Sequence, residues 1–172
     1  MKKSYETEEH SKRLEALSIK LGKSINLSES ILNDLVVFAA LHDIGKIAIP
    51  EAILLKKDKL TEKEWEIIKR HSEIGYNIAR SSPQLLHIAE YILSHHEQWD
   101  GCGYPQGLKG ERIPMLSRIV LIVDSYDVMT NGRPYESALS KSAAMKELIN
   151  CAGTKYDPAF VKIFKKIIEE NY

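Results

Sequence analysis

Six side chains able to hold a metal ion lie in stretches of this sequence that are otherwise apolar: His42, Asp43, His71, His95, His96 and Asp124. His42 and Asp43 close the run Leu35–Val36–Val37–Phe38–Ala39–Ala40–Leu41. His71 falls three residues from both Ile68 and Ile74, within a helical apolar stripe. His95 and His96 follow Ala89–Glu90–Tyr91–Ile92–Leu93–Ser94, and Asp124 follows Ile119–Val120–Leu121–Ile122–Val123. Taken singly, each has a bland explanation: a capping carboxylate, a hydrogen-bonded core histidine, a polar pair opening a surface loop. Taken together they are a heavy desolvation burden. One shared metal centre removes it, because cations compensate carboxylates and imidazole binds as the neutral base. Mixed imidazole and carboxylate donors suit iron, manganese or zinc better than magnesium or calcium. Glu6 and His10, four apart and continuing the stripe of Leu14, are expected to join the set. Six to eight donors without cysteine point to two or three bridged ions with open positions, the equipment for metal-assisted hydrolysis of phosphate esters.

The elements that must position these groups read as helices. An amphipathic helix runs from about Tyr5 to Lys23 on Leu14, Leu17 and Leu21. Ser28 caps a second that is apolar all round and ends at His42–Asp43, with Gly45 expected to stop it in a left-handed conformation. Lys46 emerges beside the same point. Pro50 opens a short helix. Thr61 and Glu64 match a capping box, opening one helix through Trp65, Ile68, His71 and Ile74 to Ala79. Pro83 starts the next, which delivers His95 and His96, while His87 looks like a bystander. Ile119–Val123 could be a strand by composition, but Arg118, Asp124 and Asp127 fall near helical spacing, so 115–129 reads as a long buried helix. Helices at about Lys141–Cys151 and Pro158–Glu170 close the chain. The expectation is an all-α bundle of about seven helices, one domain over 1–172, with a Gly/Pro-rich loop at 101–108 beside a buried centre. Gly101, Gly103 and Gly107 are expected to permit turns closed to other residues, and Pro105 to stiffen the loop.

Bulk composition narrows the class. Of 172 residues, 44% are hydrophobic and 28% charged, and 24 basic residues balance 24 acidic ones. That balance argues against a nucleic-acid polymer or a charged membrane surface as partner. No apolar run approaches the roughly 20 residues that span a bilayer. The start carries positive charge with no apolar segment after it, so no secretory signal is expected. Cys102 and Cys151 show neither disulfide nor zinc-ribbon spacing, and a cytoplasmic setting is the simpler expectation.

His10, His42–Asp43 and Asp124 together resemble the signature of the HD superfamily of metal-dependent phosphohydrolases. The stretch His95–His96–Glu97–Gln98–Trp99–Asp100–Gly101–Cys102–Gly103–Tyr104–Pro105 resembles the extended motif of its HD-GYP subfamily, which degrades cyclic di-GMP. The resemblance runs from about Glu6 to Asp157. It implies an all-helical fold with a di- or tri-nuclear iron or manganese centre. By motif, His10, His42, Asp43 and Asp124 correspond to the basic ligand set, with Asp43 bridging two ions. His71, His95 and His96 correspond to ligands of the second ion, and Glu6 with His10 to those of members holding a third. The resemblance implies hydrolysis of cyclic di-GMP to pGpG, and on to GMP in some members, by a metal-bridging hydroxide, with Asp43 and Lys46 in catalytic roles. It also implies substrate contacts from Lys46, Arg133, Asp127, Gly103, Tyr104 and Pro105.

Two features depart from the family. Glu136 stands where a basic residue often follows Arg133–Pro134–Tyr135. Glu6 lies almost at the start of a chain whose relatives carry sensory or receiver domains upstream, so the chain reads as an excised or unusually short module. Two alternatives stay open: another cyclic or linear dinucleotide as substrate, and an inactive signalling module that binds a ligand or a diguanylate cyclase domain through the 101–108 loop.

Overall fold

The run Ile119–Val123 is helical, and helices from both ends of the chain pack against the helix it belongs to. The computed structural model describes residues 8–132 and 137–170. These form nine α-helices: α1 (Glu8–Ser24), α2 (Glu29–Leu41), α3 (Glu51–Leu54), α4 (Glu62–Lys69), α5 (His71–Arg80), α6 (Ala89–Leu93), α7 (Met115–Asn131), α8 (Lys141–Asn150) and α9 (Pro158–Glu169). Short 3-10 turns stand at Ile44–Ala48, Leu86–Ile88 and Gly110–Arg112. No strand occurs among the described residues. Along α7, Leu116, Ile119, Val120, Leu121, Ile122 and Val123 are all buried, which explains why no amphipathic period is visible there.

α1 packs across α2 and α7, α8 packs on α7, and α9 packs on α1, α7 and α8. The core contributed by these helices includes Leu14, Leu21, Leu35, Phe38, Ile119, Ile122, Leu148 and Phe164, all fully buried. Each such side chain is worth about 1.5–3 kcal/mol in water-excluded area. Caps set the starts. Ser28 and Ser140 hydroxyls accept from Ile31 N and Ala143 N, and the Asp157 carboxylate accepts from Ala159 N and Phe160 N. Thr61 and Glu64 form the expected capping box.

The structure departs from the sequence reading in three places. The helix expected from Thr61 to Ala79 is two, broken at Arg70, with His71 first in the second. The helix expected from Pro83 is only α6, and His95–His96 lie in the turn beyond it. Gly45 has no left-handed backbone. A Cβ there would stand 1.9 Å from the His71 carbonyl oxygen and 2.6 Å from Gly75 N, so Gly45 is needed for close approach of the Ile44–Ala48 turn to α5.

Candidate metal centre

Three of the histidines are aimed by one local device. His42, His71 and His95 each stand one or two residues past the end of a helix, where the last carbonyls have lost their intrahelical partners. Each ring turns back and donates Nδ1–H to the carbonyl three residues earlier: His42 to Ala39 at 2.8 Å, His71 to Ile68 at 2.6 Å and His95 to Ile92 at 2.6 Å. A carbonyl can only accept, so Nδ1 must carry the hydrogen, and Nε2 of the neutral ring is left as a lone pair. The breaks at Arg70 and after Leu93 thus have a use: they release the carbonyls that orient His71 and His95.

Those Nε2 atoms converge on Asp43. His71 Nε2 lies 3.0 Å and His95 Nε2 3.7 Å from Asp43 Oδ1, and His42 Nε2 lies 3.2 Å from Oδ2. His71 and His95 bring their Nε2 atoms within 3.2 Å of each other. Asp43 Oδ1 is buried and accepts no hydrogen bond. Lone pairs facing lone pairs at these distances repel unless positive charge lies between them, and a cation is what the donor set fits. Two donor groups result, Asp43 with His71, His95 and His96, and His10 with His42 and Asp124; within each, one donor atom per residue lies within 4.8 Å of the others. Asp43 joins the groups, with one oxygen toward each.

Electrostatics agree with that assignment. Burial pushes the His95 and His96 rings toward the neutral form, His96 well below the usual histidine range, with His95 adding to the effect there. Burial alone would raise the Asp43 carboxyl, but positive charge beside it, on His42 when that ring is protonated and on the Lys46 ammonium, outweighs burial and lowers it well below the ordinary range; with His42 neutral, as a metal ligand must be, Lys46 supplies that charge. Lys46, half-buried, donates from Nζ to Asp43 Oδ2.

His10 on α1 is held from behind. Its Nδ1 donates to Asp127 Oδ2 at 2.7 Å, leaving Nε2 3.6 Å from Asp124 Oδ1. Asp127 is buried, and its oxygens also accept from Arg13 Nε at 2.6 Å, Arg13 Nη2 at 2.9 Å and Asn131 Nδ2 at 3.0 Å. Burial raises the Asp127 carboxyl, but His10 and Arg13 more than reverse this and lower it. The Asp127 oxygens, expected to meet substrate, instead accept from His10, Arg13 and Asn131 in this structure, an arrangement that orients a histidine ring.

The HD domain family matches residues 2–160. The chain belongs to that family. A cyclic di-GMP phosphodiesterase of Thermotoga maritima is 42% identical over 167 residues, covering 96% of this chain and 45% of its own length. A 3'3'-cGAMP-specific phosphodiesterase of Vibrio cholerae is 36% identical over 163 residues, covering 94% of this chain and 31% of its own. This chain thus spans less than half the length of these curated relatives. Among solved structures, a cyclic GMP-AMP phosphodiesterase of V. cholerae superposes with a TM-score of 0.74 at 24% identity, over 95% of this chain and 44% of that one, and shares the fold.

In this HD domain the loop after His96 is built around a buried carboxylate that sequence reasoning missed. Glu97 accepts from Gln106 N at 2.7 Å and Leu108 N at 2.9 Å, curling 97–108 around itself. A glutamate directly after two histidines and before a glycine-rich loop was the available signal. Gly101 and Gly107 take positive φ, but Gly103 does not. A Cβ on Gly103 would fall 2.3 Å from Gln98 N and 2.5 Å from Glu97 Cα, so it serves the fold-back. Tyr104 stacks on His96 with ring centres 4.8 Å apart, and burial pushes its hydroxyl well above the usual tyrosine range. The Tyr104–Pro105 peptide is cis. Trp99 N and Asp100 N bond to Lys155 and Thr154 carbonyls, tying the loop to the turn before α9. Glu6, Arg133 and Glu136 lie outside the described residues.

Proposed function

We propose that this HD domain binds two metal ions and hydrolyses a phosphodiester of cyclic di-GMP, giving linear pGpG first and GMP if the reaction continues. The observation that carries the reading is the convergence of imidazole Nε2 lone pairs on the two oxygens of one buried aspartate, Asp43. His71, His95 and His96 with Asp43 would hold one ion, and His10, His42 and Asp124 with Asp43 the other; a third would need Glu6. Iron or manganese suits this nitrogen-rich set. Bound there, such ions supply Lewis acidity toward phosphoryl oxygens and a source of nucleophilic water at neutral pH.

The chain's own residues do the rest. Asp43 remains ionised and ties the two donor groups into one site. Lys46, anchored by the same carboxylate, brings a positive charge to the open side, where negative charge grows on a phosphoryl group. Tyr104 keeps the His96 ring in place. Arg133 is proposed to hold a substrate phosphate, with the 103–105 loop as its rim. A second reading, 3'3'-cGAMP as substrate, is favoured by the V. cholerae relative. The 101–108 loop is a proposed contact for a diguanylate cyclase domain. No helix among the described residues is long and apolar enough to cross a membrane, and a cytoplasmic setting is proposed.

The test is turnover of cyclic di-GMP and 3'3'-cGAMP by protein loaded anaerobically with iron or manganese, with products separated by chromatography. Asp43→Ala is expected to abolish both metal retention and hydrolysis. Hydrolysis surviving that change would remove Asp43 from the centre of the mechanism.

A further inference from the structure

We infer that Trp65 is a stacking platform for a purine base of the dinucleotide, set beside the metal-donor cage; this rests on the cyclic-dinucleotide reading above. Helix α4 is unusual in that none of its eight residues is buried, so it adds nothing to the core. Its start is nonetheless fixed. Thr61 and Glu64 cap each other, and Lys56 Nζ donates to both Glu64 oxygens at 2.8 and 2.7 Å. An outlying helix held this way fixes the position of what it carries.

Directly after Glu64 comes Trp65, whose residue is 45% exposed. A large aromatic left in water is a departure from the usual burial of indoles. The indole meets Tyr104 edge-on, at 6.4 Å and 79°. Tyr104 in turn lies on His96 at 4.8 Å and 28°, and His96 is one of the donors grouped with Asp43. Trp65 is thus no farther from a donor ring than two ring-to-ring separations laid end to end. A nucleotide with its phosphate at the donors carries its base one sugar away from them, a reach comparable to the remove at which Trp65 stands. Bases stack on exposed aromatic rings regardless of their identity. Lys69, one turn on and hence on the same side of α4, holds Nζ 5.8 Å from the Tyr104 ring centre. Its partner is the exposed Glu66 at 2.5 Å, a surface pair of small worth that an anionic ligand can displace.

Two measurements test this on the full chain. In steady-state kinetics, Trp65→Ala is expected to raise the KM for cyclic di-GMP about tenfold, the factor that corresponds to about 1.4 kcal/mol of stacking. The rise should be at least five times that for methyl p-nitrophenyl phosphate, a diester with no base, and Trp65→Phe should give an intermediate value. In fluorescence, pGpG should quench the wild-type indole emission, and the quench should largely vanish in Trp65→Phe, where Trp99 alone emits. Equal KM changes for both diesters, or quenching retained in Trp65→Phe, overturns the platform, as does a loss of activity in Trp65→Ala that Trp65→Phe does not relieve. Absence of any cyclic dinucleotide turnover by the wild type overturns the proposed function instead; the pGpG quench then decides the platform by itself.

Discussion

His10 presents Nε2 toward Asp124 because its other nitrogen is occupied. Asp127 receives that Nδ1–H and is itself gripped by Arg13, so ring tautomer and direction are both set by a carboxylate that the solvent does not reach. Replacing such outer partners of a ligating histidine costs about 10- to 100-fold in metal affinity. Asp127→Asn, which keeps the shape and removes the charge, is expected to weaken metal binding by that amount in a competitive chelator titration; an unchanged affinity would free His10 from this dependence. At this scale much was legible. Buried-position histidines and acids announce themselves because nothing else explains their desolvation, and His42, Asp43, His71, His95, His96, His10 and Asp124 do come together. What could not be read was that Asp127 stands behind His10. Asp124 and Asp127 lie one turn apart on α7, and only the packing of α1 distinguishes them.

Among the elements, the contact between the Ile44–Ala48 turn and α5 matters most, since it brings Asp43 to His71. Gly45 and Gly75 make that approach possible; a Cβ on Gly45 would meet backbone, which cannot swing aside. Gly45→Ala is expected to cost about 3 kcal/mol or more, the upper end of overpacking penalties. It should lower the thermal midpoint and metal content together. Normal stability with full metal content would mean the turn has room to shift. The caps at Ser28 and Thr61 were readable because capping chemistry is local; those at Ser140 and Asp157 appear only in the structure. The break at Arg70 was not, because Arg70 keeps helical backbone angles and no glycine or proline marks it. The interruption shows only in what it allows, the turn of His71 onto the Ile68 carbonyl.

Across the whole molecule, donors drawn from α1 to α7 tie metal binding to completion of the fold. Burial holds His95 and His96 below the ordinary histidine value. Below about pH 6.5 the unfolded chain takes up protons on these rings that the folded chain refuses. Their contribution to stability is therefore full above that pH and is lost as the pH falls. Metal-free protein should show a thermal midpoint that drops progressively on acidification from pH 7 to pH 5; a flat profile would contradict neutral, buried rings. Each ion present at about 100 times its dissociation constant would add about 2.7 kcal/mol, which for a domain of this size means roughly 5–10 °C per ion. Calorimetry with and without chelator reads that difference directly.

Because main-chain oxygens, and not neighbouring side chains, point three of the rings inward, their direction is written into the helix ends themselves. No side-chain substitution elsewhere removes those pointers; only a shift of the helix end itself would.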